Sequence, residues 1–159
     1  MAHHPPAKDS PMTKIFNIAT AAVAATAPLH IKSADGEPLY ADDKRTVPMR
    51  IIVHGPGSKA YGAVESRQSA RALKRMQDND GKITAATQEE RVAETAEDLA
   101  SITIAFEGFE YQPPEGGPAL VGADMFRAAY ADQGLGFITK QVTKFVGDWG
   151  NFKAASNAA

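Results

Sequence analysis

Four groups of residues have types and spacings that invite a chemical reading. Gly55-Pro56-Gly57-Ser58-Lys59 stands between a strand-like run and a helix-like run, where a phosphate-binding loop would sit. Such a loop needs a longer glycine stretch ending Gly-Lys-Ser/Thr, so that backbone amides wrap the phosphates and the lysine reaches them. Here the order is Gly-Ser-Lys and the loop is short, which predicts a strand-to-helix turn. His30 and His54 both fall on predicted strands and would begin a zinc site if they met across a sheet. No third ligand stands at metal-ligand spacing, so no metal is expected. Arg67, Arg71, Lys74 and Arg75 recur every three or four residues and so share one stripe of a helix. They offer a basic patch for an acidic partner, or one half of a charged contact with the acidic run Glu89 to Asp98. A catalytic set is not visible: there is no serine-centred nucleophile elbow, no His-Glu-x-x-His and no carboxylate pair in a recognisable loop. Neither a catalytic residue nor a cofactor is therefore assigned, and the expectation is a protein that is not an enzyme. The fourth group is Phe137, Ile138, Val142, Phe145, Val146, Trp149 and Phe152, crowded near the C-terminus and including the single Trp of the chain. It reads either as a helix docked into the core or as an exposed apolar surface that binds another protein.

These groups must be held by one ordinary domain, since 159 residues are enough for one and few for two. Hydrophobic residues make up 43% and charged residues 23%, which is globular rather than disordered. Seventeen Lys plus Arg against nineteen Asp plus Glu leave a net charge of −2. That balance argues against nucleic acid as the main partner, because phosphate neutralisation needs a concentrated positive surface. The absence of cysteine excludes disulfides, a thiol nucleophile and thiolate metal sites, and suits a reducing cytoplasm. Residues 1–13 read as a flexible leader, 14–152 as a single α+β domain and 153–159 as a flexible tail. The stretch Ile15 to Ala27 mimics the apolar part of a signal peptide, but its polar Asn17, Thr20 and Thr26 favour a short Ala-rich helix or a partner-contacting arm. It is too short and too polar to cross a membrane, which takes about 20 apolar residues.

The expected fold is α+β, with a small N-terminal antiparallel β element of about three strands followed by a mostly helical C-terminal part. Leu29 to Ser33 alternates, Asp35-Gly36 supplies a hairpin turn, and Pro38-Leu39-Tyr40 returns. Val47 to His54 is the clearest strand, with Met49, Ile51 and Val53 on one face, and Pro48 places that end at a sheet edge because it has no N–H for a ladder. A helix from Ser58 to about Gln77 carries Tyr61, Val64, Ala72, Leu73 and Met76 as a broken apolar face. Thr87-Gln88-Glu89-Glu90 is a capping box, opening a helix to about Ser101 with Val92, Ala96 and Leu99 inward. Glu89, Glu90, Glu94, Glu97 and Asp98 are expected outward on it. Ile102, Ile104 and Phe106 then alternate with Thr103, Ala105 and Glu107 as a further strand. Gln112 to Ala119 is a Pro/Gly-rich loop, and Gly122 to Ala131 and Phe137 to Val146 are two short helices.

The order of segments is similar to that of the tail assembly chaperones of long, non-contractile-tailed bacteriophages. The pieces that carry the resemblance are Ile15-Phe16-Asn17-Ile18-Ala19-Thr20, Leu29-His30-Ile31-Lys32, Gly36-Glu37-Pro38-Leu39-Tyr40, and Ile51 through Tyr61. The Glu-rich helix running into Ile102-Thr103-Ile104-Ala105-Phe106 and the ending Phe145 to Phe152 complete the set. The resemblance covers most of the chain from about Lys14 onward, though the loop from Gln112 to Ala119 is longer than the family pattern. It implies a non-virion helper that binds the phage tape-measure protein, keeps it from aggregating and recruits tail-tube subunits. It also implies a short product and a frameshifted longer one, with slippage under Trp149-Gly150-Asn151 where the codons allow it. Partner-binding residues are then expected at Phe137, Val142, Phe145, Trp149 and Phe152, with Arg67, Arg71 and Arg75 as a secondary basic stripe. No nucleic acid or membrane partner is expected, and self-association stays open. The rival readings are a virion structural protein, such as a tail-completion or head–tail connector component, and a DNA-associated phage protein using the basic stripe.

Overall fold

The computed structural model describes residues 14–82 and 85–153. The leader and most of the C-terminal tail inferred from the sequence lie outside the described residues. The chain forms an α+β fold in the order β1 (Thr26–His30), β2 (Arg50–His54), α1 (Lys59–Asp78), α2 (Gln88–Ser101), β3 (Thr103–Glu107), α3 (Gly122–Ala131) and α4 (Gly136–Val146). Short 3-10 turns stand at Ile18–Ala21, Gln133–Leu135 and Trp149–Asn151.

The sheet is antiparallel with strand order β1-β2-β3. Leu29 lies opposite Ile51 and Ala27 opposite Val53, so alternation along both strands places Ala27, Ile51 and Val53 in the core. The third strand comes from beyond α2 rather than from the N-terminal half. Residues 31–40 form the expected hairpin, with Gly36 at φ +88° in the turn, but they make no regular strand: their pairings are the isolated bridges Lys32–Pro38 and Tyr40–Pro48, supported by main-chain bonds such as that from the Ile31 N–H to the Met49 carbonyl. Pro48 does not mark a sheet edge, because β2 is the central strand. The proline lies just ahead of it, where its missing N–H interrupts no ladder bond.

β3 also departs from simple alternation. Ile52 pairs with Ala105 but Val53 pairs with Thr103, so Ile104 is an extra residue at a bulge. Ile104 is therefore turned to solvent and Thr103 is buried, the reverse of the expected pattern. The buried hydroxyl is satisfied twice: Thr103 Oγ1 donates to the Leu99 carbonyl at 2.7 Å and lies 2.7 Å from the Tyr130 hydroxyl. Burial pushes the Tyr130 phenol well above its ordinary pKa, against the opposing effect of the Thr103 hydrogen bond, so it stays neutral. Tyr130→Phe is expected to cost about 1 kcal/mol in chemical denaturation, the net worth of one neutral hydrogen bond. A loss above about 3 kcal/mol would mean that the hydroxyl holds more than this pair.

Helix ends follow local chemistry. The Ser58 hydroxyl accepts from the Tyr61 N–H, and Thr87 and Glu90 form the reciprocal capping box. Ala96, Leu99, Phe126, Tyr130, Val142, Val146 and Phe152 join Ile51 and Val53 in one core. α4 is tied to the hairpin by its Gln141 amide, which accepts from the Lys32 N–H and donates to the Lys32 carbonyl, both at 2.8 Å. The same device closes the Pro/Gly-rich loop, where the Gln112 side chain accepts from the Leu120 N–H and donates to its carbonyl. Two glycines are required by close approach. A Cβ on Gly55 would lie 2.4 Å from the Phe152 ring, and one on Gly108, at φ +82°, would meet the Pro48 carbonyl at 2.8 Å. Among the described residues no helix is long and apolar enough to cross a membrane.

Candidate partner-binding surface

The structure separates the sequence-predicted site residues into three groups. The arginine stripe is the first, and it is turned inward. α1 and α2 lie side by side, and Arg67 Nε donates to Asp98 Oδ1 at 3.1 Å while Arg71 Nη1 reaches both Asp98 oxygens at 2.9 Å. Gln68 Nε2 adds a fourth hydrogen bond at 3.2 Å, and Arg71 also meets Glu97. Further along, Arg75 pairs with Glu94 and Glu90. Hydrogen bonding to Asp98 raises the Arg71 pKa, and hydrogen bonding to Glu94 does the same for Arg75, so both guanidinium groups stay charged. Arg67, Arg71 and Arg75 thus hold two helices together instead of forming a free basic face. Lys74 is bound to Asp78 within α1.

Asp98, expected to face outward, is only 6% exposed. Its signal was the stripe itself: two arginines four residues apart need an acidic counterpart once the helices pair. α1 also contributes less apolar surface than expected. Val64 is its buried residue, whereas Ala72 and Leu73 face solvent.

The histidines do not meet. His54 pairs with Thr26 and His30 with Arg50, at opposite ends of the β1–β2 ladder. His30 Nε2 is instead 2.7 Å from the Leu39 carbonyl, with its ring edge-on to Tyr40. Among the described residues no cluster of three His, Asp or Glu could hold a metal. Gly55 to Lys59 forms the strand-to-helix turn foreseen for it.

The aromatic C-terminal group divides. Val142 and Phe152 are fully buried, and Phe145 packs edge-on against Phe152 with ring centroids 5.5 Å apart. Val142 and Phe152 therefore belong to the core, and Phe145 is partly buried against it. Trp149 remains 55% exposed beside Val23. Phe137 lines an open apolar cleft of about 440 Å³ with Leu39, Met49, Phe106, Phe109, Leu135 and Ile138. Phe106 anchors its floor, stacked on Phe109 and tilted against Phe126, each at 4.6 Å. The polar members of the cleft are Tyr111, Tyr130, Glu110 and Asp132. Tyr111 donates to Asp132 Oδ2 at 2.8 Å, and burial followed by that bond raises the Tyr111 pKa. No Lys, Arg or His lines the cleft.

The cleft was not legible as a site, because its walls come from four separate stretches of chain. A second apolar feature was anticipated as an arm. Residues 14–22 form no long helix, only the 3-10 turn at Ile18–Ala21, capped by the Asn17 side chain. On this arm Ile15, Phe16 and Ile18 are 90%, 69% and 75% exposed. Ala24, just after it, donates to the Phe152 carbonyl at 2.8 Å and anchors the arm beside the C-terminal turn. Matched against protein-family models, curated proteins and solved structures, the chain returns no match.

Proposed function

We propose that this chain is a non-enzymatic phage tail assembly chaperone, which covers apolar surface of the tape-measure protein and recruits tail-tube subunits in the host cytoplasm. The observation that carries the reading is the open cleft walled by Phe106, Phe109, Leu135, Phe137 and Ile138, together with the solvent-facing Trp149. A long helix in solution exposes an apolar stripe, and a groove that accepts successive side chains at i, i+3 and i+4 is a physical means of covering it. The order of sequence segments from Lys14 to Phe152 supports the same assignment. With the arginine stripe already engaged by α2, client binding falls to apolar contact rather than charge.

Co-expression with the tape-measure protein is the test. The wild-type chain is expected to keep that protein in solution, and the complex to survive a change from about 50 mM to about 500 mM salt, since apolar burial is not screened. Trp149→Ala and Phe137→Ser are expected to reduce recovery of the soluble complex at least several-fold. Trp149→Ala should leave the melting temperature within about 2 °C, because the ring is largely solvated. Dissolution of the complex by salt, or stoichiometric recovery of the chain in mature virions, would count against the assignment.

A further inference from the structure

A second recess of the molecule carries cations where the cleft carries none. It is a groove of about 450 Å³ between α2 and the junction of α3 with α4. Gln88, Arg91, Val92 and Thr95 line it from α2, three or four residues apart and so on one face of that helix. Gly136, Thr139 and Lys140 line it from α4 by the same spacing. Its arginine is unlike the others. Arg45 lies over the Tyr40 ring, Arg50 pairs with Glu107, Arg127 with Asp124, and Arg67, Arg71 and Arg75 bind α2. Arg91 is the one arginine that meets neither a carboxylate nor a ring among the described residues. Lys140 has no ion pair there either, and the side chains of Gln88, Thr95 and Gln133 have no hydrogen-bond partner. The carboxylate that lines the groove, Asp132, is already engaged: Oδ1 accepts from the Gly134 N–H at 2.9 Å and Oδ2 from the Tyr111 hydroxyl.

We propose that this groove binds an acidic peptide segment of a partner protein. Arg91 presents a planar fork that matches a carboxylate, and Lys140 adds a point charge from the opposite helix. The unengaged Gln88, Thr95 and Gln133 side chains supply donors for further carboxylate or main-chain carbonyl oxygens. Val92 and Ala131 give apolar side chains of the same segment a surface to cover. Charge complementarity selects this occupant, because the free cations face each other and the local acid is already satisfied. Nucleic acid fits less well: Asp132 in the groove and Glu89 beside Gln88 oppose a continuous run of phosphates. The groove shares Tyr130 and Asp132 with the apolar cleft but contains neither Phe106 nor Phe137. It holds its ligand by charge and the cleft by apolar contact, so salt separates the two, and the inference does not rest on the tape-measure reading.

Fluorescence anisotropy on the full chain tests it, with a labelled peptide of Glu-Glu-Leu repeats and a control in which Gln replaces Glu. The acidic peptide is expected to bind with a Kd on the order of 100 µM at about 50 mM salt, weakening about tenfold at about 500 mM. Arg91→Gln with Lys140→Gln should weaken binding by about tenfold or more. Its melting temperature should stay within about 2 °C of wild type, because both side chains are exposed and hold no other element. Lys44→Gln with Lys59→Gln removes the same charge outside the groove and should keep the affinity within about twofold. Absence of binding at about 1 mM protein, equal binding of the Gln peptide, insensitivity to salt or an equal loss in both double variants would each overturn the proposal. So would a single-stranded DNA oligonucleotide that binds more tightly than the acidic peptide through Arg91 and Lys140.

Discussion

Phe152→Ala is expected to destabilise the fold by about 3–5 kcal/mol, the usual cost of deleting a fully enclosed aromatic ring. The ring has no exposed surface, packs edge-on against Phe145 and covers Gly55, while its carbonyl receives the Ala24 N–H. For a chain of this size the melting temperature should fall by roughly 10 °C. Gly55→Ala should be costly by itself, about 1–3 kcal/mol, because the added methyl would lie 2.4 Å from the Phe152 ring and something must move. The two substitutions are coupled through that contact. With Phe152 already alanine, the methyl at position 55 gains room, and its cost should shrink to under about 1 kcal/mol. Denaturation curves for both singles and the double decide the point. An equal cost of Gly55→Ala in both backgrounds would show that the glycine is needed for some other reason.

The second large effect is expected at Asp98, the carboxylate that Arg67, Arg71 and Gln68 share. Asp98→Ala leaves two guanidinium groups partly buried without their counter-charge, and should cost about 3 kcal/mol. The arginines keep some solvent access, which sets this at the lower end of such effects. Replacing the group as a whole should behave differently. Asp98→Leu combined with Arg67→Met and Arg71→Met removes the desolvated charges together, and is expected to fall within about 1 kcal/mol of wild type or above it. The distal half of α1 is where the loss would show, because Val64 near its start is its buried residue and charged pairs hold the remainder. Amide exchange should therefore accelerate from about Gln68 to Asp78 in Asp98→Ala before the sheet is affected. Uniform acceleration across β1, β2 and α1 would refute an electrostatic hold on this helix.

Both effects also show why the arginine stripe makes a poor probe of partner binding. Arg71→Glu with Arg75→Glu places like charges against Glu94, Glu97 and Asp98, so any loss of a complex would report a displaced helix first. Trp149→Ala is the cleaner probe, since its ring contributes to the surface more than to the core.

Local chemistry in the sequence determined the helix starts at Ser58 and Thr87, the turns at Gly36 and Gly55–Ser58, the core face of β2 and the α+β class. Each rests on neighbours within a few residues, where capping, alternation and turn preference operate without knowledge of the rest of the chain. Charge pattern also made the α1–α2 contact foreseeable, though only the packed helices could show that Asp98 lies inside it. Tertiary structure alone decided the remainder. The third strand comes from residues 103–107 because β2 is paired on both sides, and the bulge at Ile104 reversed the face of Thr103. Distance along the chain hid both, as it hid the ring of Phe152 over Gly55 and the separation of His30 from His54. The cleft between the sheet and α4 has the same origin. Its residues run from Ile31 to Ile138, and no local pattern records which of them will face one another. Periodicity reports whether a side chain is buried; register and packing decide against what.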